Sequence, residues 1–313
     1  MCRSDHHAWS GNDPDVKLPH IMGHELAGII VETGSDIKKF SVGDHVTVPF
    51  FLGCGLCSDC QTGNPTICDR QETIGFTIRG GFAQFVEICF ADFNLVRLPS
   101  SLGFETAAAI GCRVTTAYRA LTDRASLLPG EWLAIHGCGG VGTSANMIAK
   151  ALGAKVIGID INSLSLKKAK QVGADIVLDP TKFKNIWQEV RELTKGGVDV
   201  SLDALGIEVT FQNSLRSLRK LGRHIQIGMP TSSNTIVSLP LLELLYSRQL
   251  KIIGTRGMAA SGFSSLMTMI NNGSINIDSL ITRKLKLSQV PEAMLQFGQK
   301  SETGITIINN FSI

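Results

Sequence analysis

No block of like charge runs through this 313-residue chain, and its net charge is only +3. A basic stripe is the electrostatic footprint of a nucleic-acid binder. That class is set aside, and the charges read as an ordinary solvated surface. The N-terminus, MCRSDHHAWSG, lacks an apolar secretory segment, so the chain is expected to be cytoplasmic. A membrane-spanning run is missing too. Residues 132–149 contain no Asp, Glu, Lys or Arg, but they carry four glycines, His136 and Asn146, and read better as strand, turn and helix. Hydrophobic content of 43% and mean hydropathy of +0.15 describe a globular protein, long enough for two domains with their own cores.

What is present is organised around residues 133–160. An apolar run at 133–135 reads as a buried strand, and Gly137-Cys138-Gly139-Gly140-Val141-Gly142 follows it. A helical pattern then runs to about Leu152, and a second apolar run, 155–159, ends on Asp160. A lone glycine match is more often a plain turn. In this order of strand, G-x-G-x-x-G, helix, strand and acid it is a dinucleotide-binding fingerprint. Gly137 permits the tight turn, Gly139 lets the backbone approach a pyrophosphate, and Gly142 lets the helix pack on the strand. The helix start, with Gly140 and Val141, offers free N–H groups to phosphates. Asp160 can accept hydrogen bonds from an adenosine ribose. It is followed by Ile161, Asn162 and Ser163 without an arginine, which favours NAD over NADP.

Helix and strand alternate beyond Asp160. Helices are expected at 163–172, 183–193, 209–218 and 239–246, and strands at 176–178, 198–204, 222–227 and 250–253. Six strands with interleaved helices make an α/β, doubly wound sheet across residues 114–254. Residues 255–313, with helices at 264–271 and 290–299 and a strand at 304–308, return to complete the domain begun by residues 1–113.

Eight cysteines without an export signal point to metal rather than disulfides. Cys54-x2-Cys57-x2-Cys60-x7-Cys68, with turns at Gly53, Gly55, Gly63 and Pro65, can close tetrahedrally around one structural zinc. An iron–sulfur cluster or unrelated thiols compete with that reading. Cys89 and Cys138 read as packed thiols. Cys2-Arg3-Ser4-Asp5-His6-His7 is either a frayed polar terminus or part of a site. His24 and Glu25 stand at the edge of a strand expected at 26–31, a further turn and strand lie at 41–48, and Cys112 lies in a helical, small-residue stretch, 105–118. A catalytic zinc needs three protein ligands and one open position. Cys2, His24 and Cys112 are the natural trio, with Glu25 beside them.

Over essentially its whole length the chain resembles the zinc-dependent alcohol dehydrogenases of the medium-chain dehydrogenase/reductase superfamily. The matching motifs are Cys2-Arg3-Ser4-Asp5-x-His7, Gly23-His24-Glu25, the four-cysteine lobe, Gly80-Gly81-Phe82-Ala83-Gln84-Phe85-Val86, Cys112 with Thr115-Thr116, the glycine turn with Asp160, and Ile227-Gly228-Met229. The resemblance implies a Rossmann nucleotide-binding domain and a β-rich, GroES-like catalytic domain, N-terminally shortened because relatives carry several strands ahead of the first ligand. It implies a catalytic zinc on Cys2, His24 and Cys112, with Glu25 behind it or exchanging as a ligand, and Asp5 orienting His24. It makes Ser4 and His7 the proton path, Arg3 a pyrophosphate contact, and Thr116, Ile227, Gly228 and Met229 the border of the nicotinamide. The implied activity is NAD-dependent oxidation of small alcohols to aldehydes or ketones, by a homodimer or homotetramer without nucleic-acid or membrane partners. A polyol or amino-alcohol dehydrogenase and a truncated, non-catalytic paralogue are the alternatives. Ser165, where some relatives have lysine, and a tail at 304–307 without arginine depart from the pattern.

Overall fold

Glycines, prolines and cysteine turns interrupt every apolar run in the first hundred residues, and the strands there are short. The computed structural model describes residues 1–230, 236–297 and 303–312. A helix, Arg3–Trp9, opens the chain where sequence reading offered no element. The strand expected over 26–31 shrinks to β1, Ala27–Ile29. Beyond Ile29 the pairing tapers to the bonds from Ile30 N to Asp44 O and from Gly43 N to Ile30 O, and Gly43 turns at φ +93°. β1 pairs antiparallel with β2, His45–Thr47. β3, Phe51–Leu52, pairs with β4, Glu72–Thr73, across the four-cysteine lobe, and β5, Val96–Arg97, pairs with β2. Helical backbone then begins at Phe104–Ala109 and continues through Ile110–Val114. Its small residues allow close approach: a Cβ on Gly111 would stand 3.2 Å from the Glu25 Cα.

The middle of the chain is a six-stranded parallel sheet. Its strands are β6 (Trp132–His136), β7 (Lys155–Ile159), β8 (Ile176–Leu178), β9 (Val198–Asp203), β10 (Leu218–Gln226) and β11 (Lys251–Gly254). Their spatial order is β11-β10-β9-β6-β7-β8. The order reverses between β6 and β9, the switch point where a doubly wound sheet takes its ligand at the carboxyl ends of the strands. Buried Ala134, Ile157, Val190, Phe211, Leu215 and Leu218 fill the core on this sheet. Helix Ile186–Leu193 starts three residues later than expected, because Pro180–Lys182 forms its own short turn. β10 starts four residues early, at Leu218, through an irregularity in its pairing with β9 before Arg223. The helix expected at 239–246 is confined to Leu241–Tyr246.

The chain then adds helix Phe263–Asn271, β12 (Ile281–Lys286), helix Val290–Gln296 and β13 (Ile305–Asn310), with β12 and β13 parallel. Residues 298 and 299 of the expected last helix lie outside the described residues. Two compact units result: Met1–Thr115 with Gly257–Ile313, and Thr116–Arg256. No helix among the described residues is long and apolar enough to cross a membrane.

At the end of β6, His136 is 2% exposed and its Nε2 has no hydrogen-bond partner. Burial, helped by the neighbouring His224, pushes its pKa down to about 3. The folded protein therefore holds this ring neutral while the unfolded chain protonates it near pH 6.5. Stability contributed by the neutral ring is present above about pH 6.5 and is lost as pH falls from there toward 3. His136→Leu is expected to flatten the pH dependence of urea unfolding between pH 6.5 and 4.5 by about 2–3 kcal/mol relative to the unsubstituted protein. Parallel curves for the two proteins would contradict this.

Candidate metal centres and dinucleotide site

Asp5 organises the first centre. Its Oδ2 accepts from Cys2 N at 2.8 Å, capping helix Arg3–Trp9, and its Oδ1 accepts from Gly23 N at 3.2 Å. The same Oδ1 meets His24 Nδ1 at 2.6 Å. One carboxylate thus fixes both the Cys2 backbone and the His24 imidazole. Gly23 is needed here: its φ is +103°, and a Cβ would stand 2.6 Å from Phe82 N. The strip Gly80-Gly81-Phe82 lies against it, with Gly81 N donating to Gly23 O.

The sulfurs of Cys2 and Cys112 and a ring nitrogen of His24 lie within 4.8 Å of one another, all buried. With Nδ1 engaged by Asp5, His24 Nε2 is buried and has no partner. Two thiols and one imidazole with a free, buried nitrogen are a donor set for zinc with an open position. The electrostatics agree. Cys112 hydrogen-bonds the Cys2 sulfur, and against the cost of burial, with Arg113 and His24 adding, Cys2 ionises far more readily than an ordinary thiol. Cys112 carries the shared proton and is pushed up. Burial disfavours charge on His24, but Asp5 and Cys2 outweigh it and raise its pKa.

Glu25 groups with Asp5 and His24, not with the thiol pair. Its carboxylate is held by Arg113, through Nε at 3.3 Å and a second guanidinium nitrogen at 3.0 Å. Arg113 is 6% exposed and also donates to Met1 O and Gly304 O. Sequence reading missed this residue. Its signal was a charge next to Cys112 within the small-residue stretch. Ser4 and His7 stand three residues apart on helix Arg3–Trp9 and so share a face. His7 Nδ1 is buried without a partner, and Arg3 is exposed. Burial, then the Arg3 charge, lowers the His7 pKa.

The sulfurs of Cys54, Cys57, Cys60 and Cys68 also lie within 4.8 Å of one another, and all four thiols are free of disulfides. A zinc tetrahedron with Zn–S of about 2.3 Å has S···S edges of about 3.8 Å, and Cys57 and Cys68 stand 3.7 Å apart. Backbone N–H groups of Leu56 and Arg70 point at the Cys54 and Cys68 sulfurs. Those of Leu56 and Cys57 lower the Cys54 pKa to about 6, and burial pushes Cys60 up to about 12. The four thiols fit one closed zinc.

In the sheet unit the glycine turn follows β6. Gly137 has φ +96° and donates to Ile159 O, while Gly139 lies in open space. Helix Gly140–Ala151 begins there with no side chain capping its first N–H groups, which leaves the donors of Gly140, Val141 and Gly142 able to meet an anion. Asp160 does more than wait for a ribose. Its Oδ2 accepts from Cys138 N at 2.7 Å and its Oδ1 from Asn162 N at 2.8 Å, so it also braces the turn. Buried Thr116 opens this unit. Ile227 and Gly228 both donate to Asp203 O, and Met229 is exposed.

Known families match both halves of the chain. Residues 1–100 match the alcohol dehydrogenase GroES-like domain, and residues 140–272 match the zinc-binding dehydrogenase domain. An alcohol dehydrogenase of Geobacillus stearothermophilus is 36% identical over 257 residues, 82% of this chain and 74% of that one. D-arabitol-phosphate dehydrogenase of Enterococcus avium is 32% identical over 314 residues, covering 99% of this chain and 87% of its own. Among solved structures, alcohol dehydrogenase TADH from Thermus sp. ATN1 superposes with a TM-score of 0.90 at 27% identity, over 99% of this chain and 90% of that one. The chain belongs to the zinc-dependent alcohol and polyol dehydrogenases of the medium-chain dehydrogenase/reductase superfamily.

Proposed function

We propose that the protein oxidises small alcohols to aldehydes or ketones by hydride transfer to NAD, with one catalytic and one structural zinc per chain. The observation that carries this reading is the buried, unpartnered Nε2 of His24 beside the Cys2 and Cys112 sulfurs. When bound there, zinc supplies a Lewis acid that lowers the pKa of an alcohol hydroxyl. The rest falls to the chain's own side chains. Asp5 engages His24 Nδ1, which leaves Nε2 as the nitrogen that would bind the metal in exchange for its proton. Ser4 takes the hydroxyl proton and His7 passes it to solvent, a role suited to a ring whose lowered pKa keeps it neutral and able to accept. Arg113 holds Glu25 in reserve behind the metal.

Gly137, Gly139, Gly140, Val141 and Gly142 cradle the pyrophosphate, and Asp160 takes the ribose. Thr116, Ile227, Gly228 and Met229 border the nicotinamide. A 2′-phosphate would meet the Asp160 carboxylate with no arginine following it, which supports NAD. One observation favours a polyol reading as well: the D-arabitol-phosphate relative aligns with 99% of the chain.

A panel of simple alcohols, polyols and amino alcohols with NAD and with NADP tests both readings. Turnover of ethanol or propanol with NAD, at least tenfold faster than with NADP, is the expected result. Turnover of polyols alone would replace the simple-alcohol assignment. Metal analysis belongs beside it, since one zinc per chain with no turnover would favour a non-catalytic paralogue. We further propose a homodimer or homotetramer, which light scattering on the same preparation tests.

A further inference from the structure

One face of the sheet buries a polar line that the motifs do not account for. Asp203, at the end of β9, is fully buried, as are Ser201 on the same strand, His224 on β10 and Ser214 on helix Glu208–Ser217. The strand register sets Ser201 beside His224 and Asp203 beside Gln226. The hydrogen bonds then run in one direction. Ser214 Oγ lies 2.9 Å from His224 Nδ1, His224 Nε2 lies 3.1 Å from Gln226 Oε1, and Gln226 Nε2 donates to Asp203 Oδ2 at 3.1 Å. Only one tautomer satisfies this line: Nδ1 accepts and Nε2 donates. Burial lowers the His224 pKa, which keeps the ring neutral as the line requires.

The line ends where the loops of the dinucleotide site begin. Asp203 Oδ1 accepts from Leu205 N at 2.9 Å, Gly206 N at 3.3 Å and Thr210 Oγ1 at 3.0 Å. Its backbone oxygen accepts from Ile227 N and Gly228 N, and Gln226 Nε2 donates a second bond to Gly228 O at 3.0 Å. The loops so held are in close contact. A Cβ on Gly206 would fall 2.7 Å from the Gly228 carbonyl, one on Gly228 2.2 Å from Gly206 N, and one on Gly137 2.7 Å from Leu205 Cγ. The turn at 205–206 is therefore a spacer between the glycine turn and the segment Ile227, Gly228 and Met229. Its position is fixed by a single carboxylate.

We propose that Asp203 is a positioning residue for the cofactor, and that the Gln226–His224–Ser214 line locks its carboxylate so that the 205–206 turn sets the gap between the pyrophosphate turn and the nicotinamide border. The proposal rests on the dinucleotide reading of this unit. Buried and satisfied, such a line specifies one loop arrangement; with a member removed, the loops keep their contacts but lose their shared reference. Gln226→Met keeps length and volume while deleting all three hydrogen bonds of the side-chain amide.

The test measures NADH binding by fluorescence, steady-state kinetics and melting temperature on purified holoenzyme. For Gln226→Met we expect the NADH Kd and the KM for NAD to rise about tenfold, with the KM for alcohol unchanged within twofold. A merely structural role would lower the melting temperature and the active fraction and leave the KM for NAD in place. Binding within twofold of the unsubstituted protein overturns the proposal. Where Gln226→Met does not fold, Thr210→Val decides: it removes one donor to the same carboxylate, and a threefold weaker NADH affinity is expected, while an unchanged one overturns the proposal. Absence of NADH binding in the unsubstituted protein would instead sink the dinucleotide reading itself.

Discussion

Cys112→Ala is expected to lower kcat for alcohol oxidation by at least about a thousandfold, a loss of about 4 kcal/mol of barrier lowering, while the protein still folds and binds NADH. The asymmetry follows from where the thiol sits. Cys112 supplies one of the three donors of the proposed catalytic centre, and without it Cys2 and His24 are left as a two-ligand site. Zinc content should fall from two ions per chain to one, because the four-cysteine group is separate and keeps its own ligands. Folding should suffer little. The sulfur is small, the Asp5 bonds to Cys2 N and His24 Nδ1 are kept although the Cys2 sulfur loses its partner, and the cavity costs on the order of 1 kcal/mol. The proposed NADH site lies in the other unit, where no proposed ligand of this centre lies. NADH production within tenfold of the unsubstituted enzyme would contradict the proposed ligand set, and loss of both zincs would show that the two sites are coupled.

The parts of this molecule that could be read from its sequence are those whose chemistry is local. Gly137 to Asp160 announces itself because the strand, turn, helix and acid of a dinucleotide site are consecutive, and the sheet around it follows from alternating apolar runs. The four cysteines are likewise close in sequence and close in space. What escaped reading is built across the chain. The Arg113–Glu25 pair joins positions 88 residues apart, and its arginine looks like a mere interruption of an apolar helix. His224 and Gln226 alternate along β10 as if they faced solvent, yet they are paired by the register with Ser201 and Asp203 under a helix. Helix Arg3–Trp9 was hidden because its cap is unusual: the bond to Cys2 N comes from Asp5, three residues on, with cysteine where serine or threonine is usual. Strand limits shifted for a similar reason. Leu218 joins β10 through its pairing with Val198, a long-range contact that no periodicity reports.

The glycine turn yields the second large effect, and it separates two glycines that a motif treats alike. A Cβ at Gly142 would stand 1.8 Å from the Gly137 carbonyl oxygen and 3.3 Å from Ile135 Cγ2. The obstacle is backbone, and that backbone is fixed because Gly137 N is bonded to Ile159 O and Cys138 N to Asp160. Gly142→Ala must therefore push helix Gly140–Ala151 off β6, and about 3 kcal/mol or more of stability is expected to go, a fall in melting temperature of about 10 °C. At Gly139 the same substitution meets nothing within 4 Å, and the φ of −69° is one that alanine adopts freely. Stability should change by no more than about 1 kcal/mol, the difference between glycine and alanine at a helix start. The methyl group nevertheless enters open space at the uncapped helix start, where the pyrophosphate is proposed to lie. NADH affinity should fall about a hundredfold in Gly139→Ala, as read by fluorescence titration. Full NADH affinity in Gly139→Ala would place the phosphates elsewhere, and an unchanged melting temperature in Gly142→Ala would mean that helix and strand are not packed at this distance.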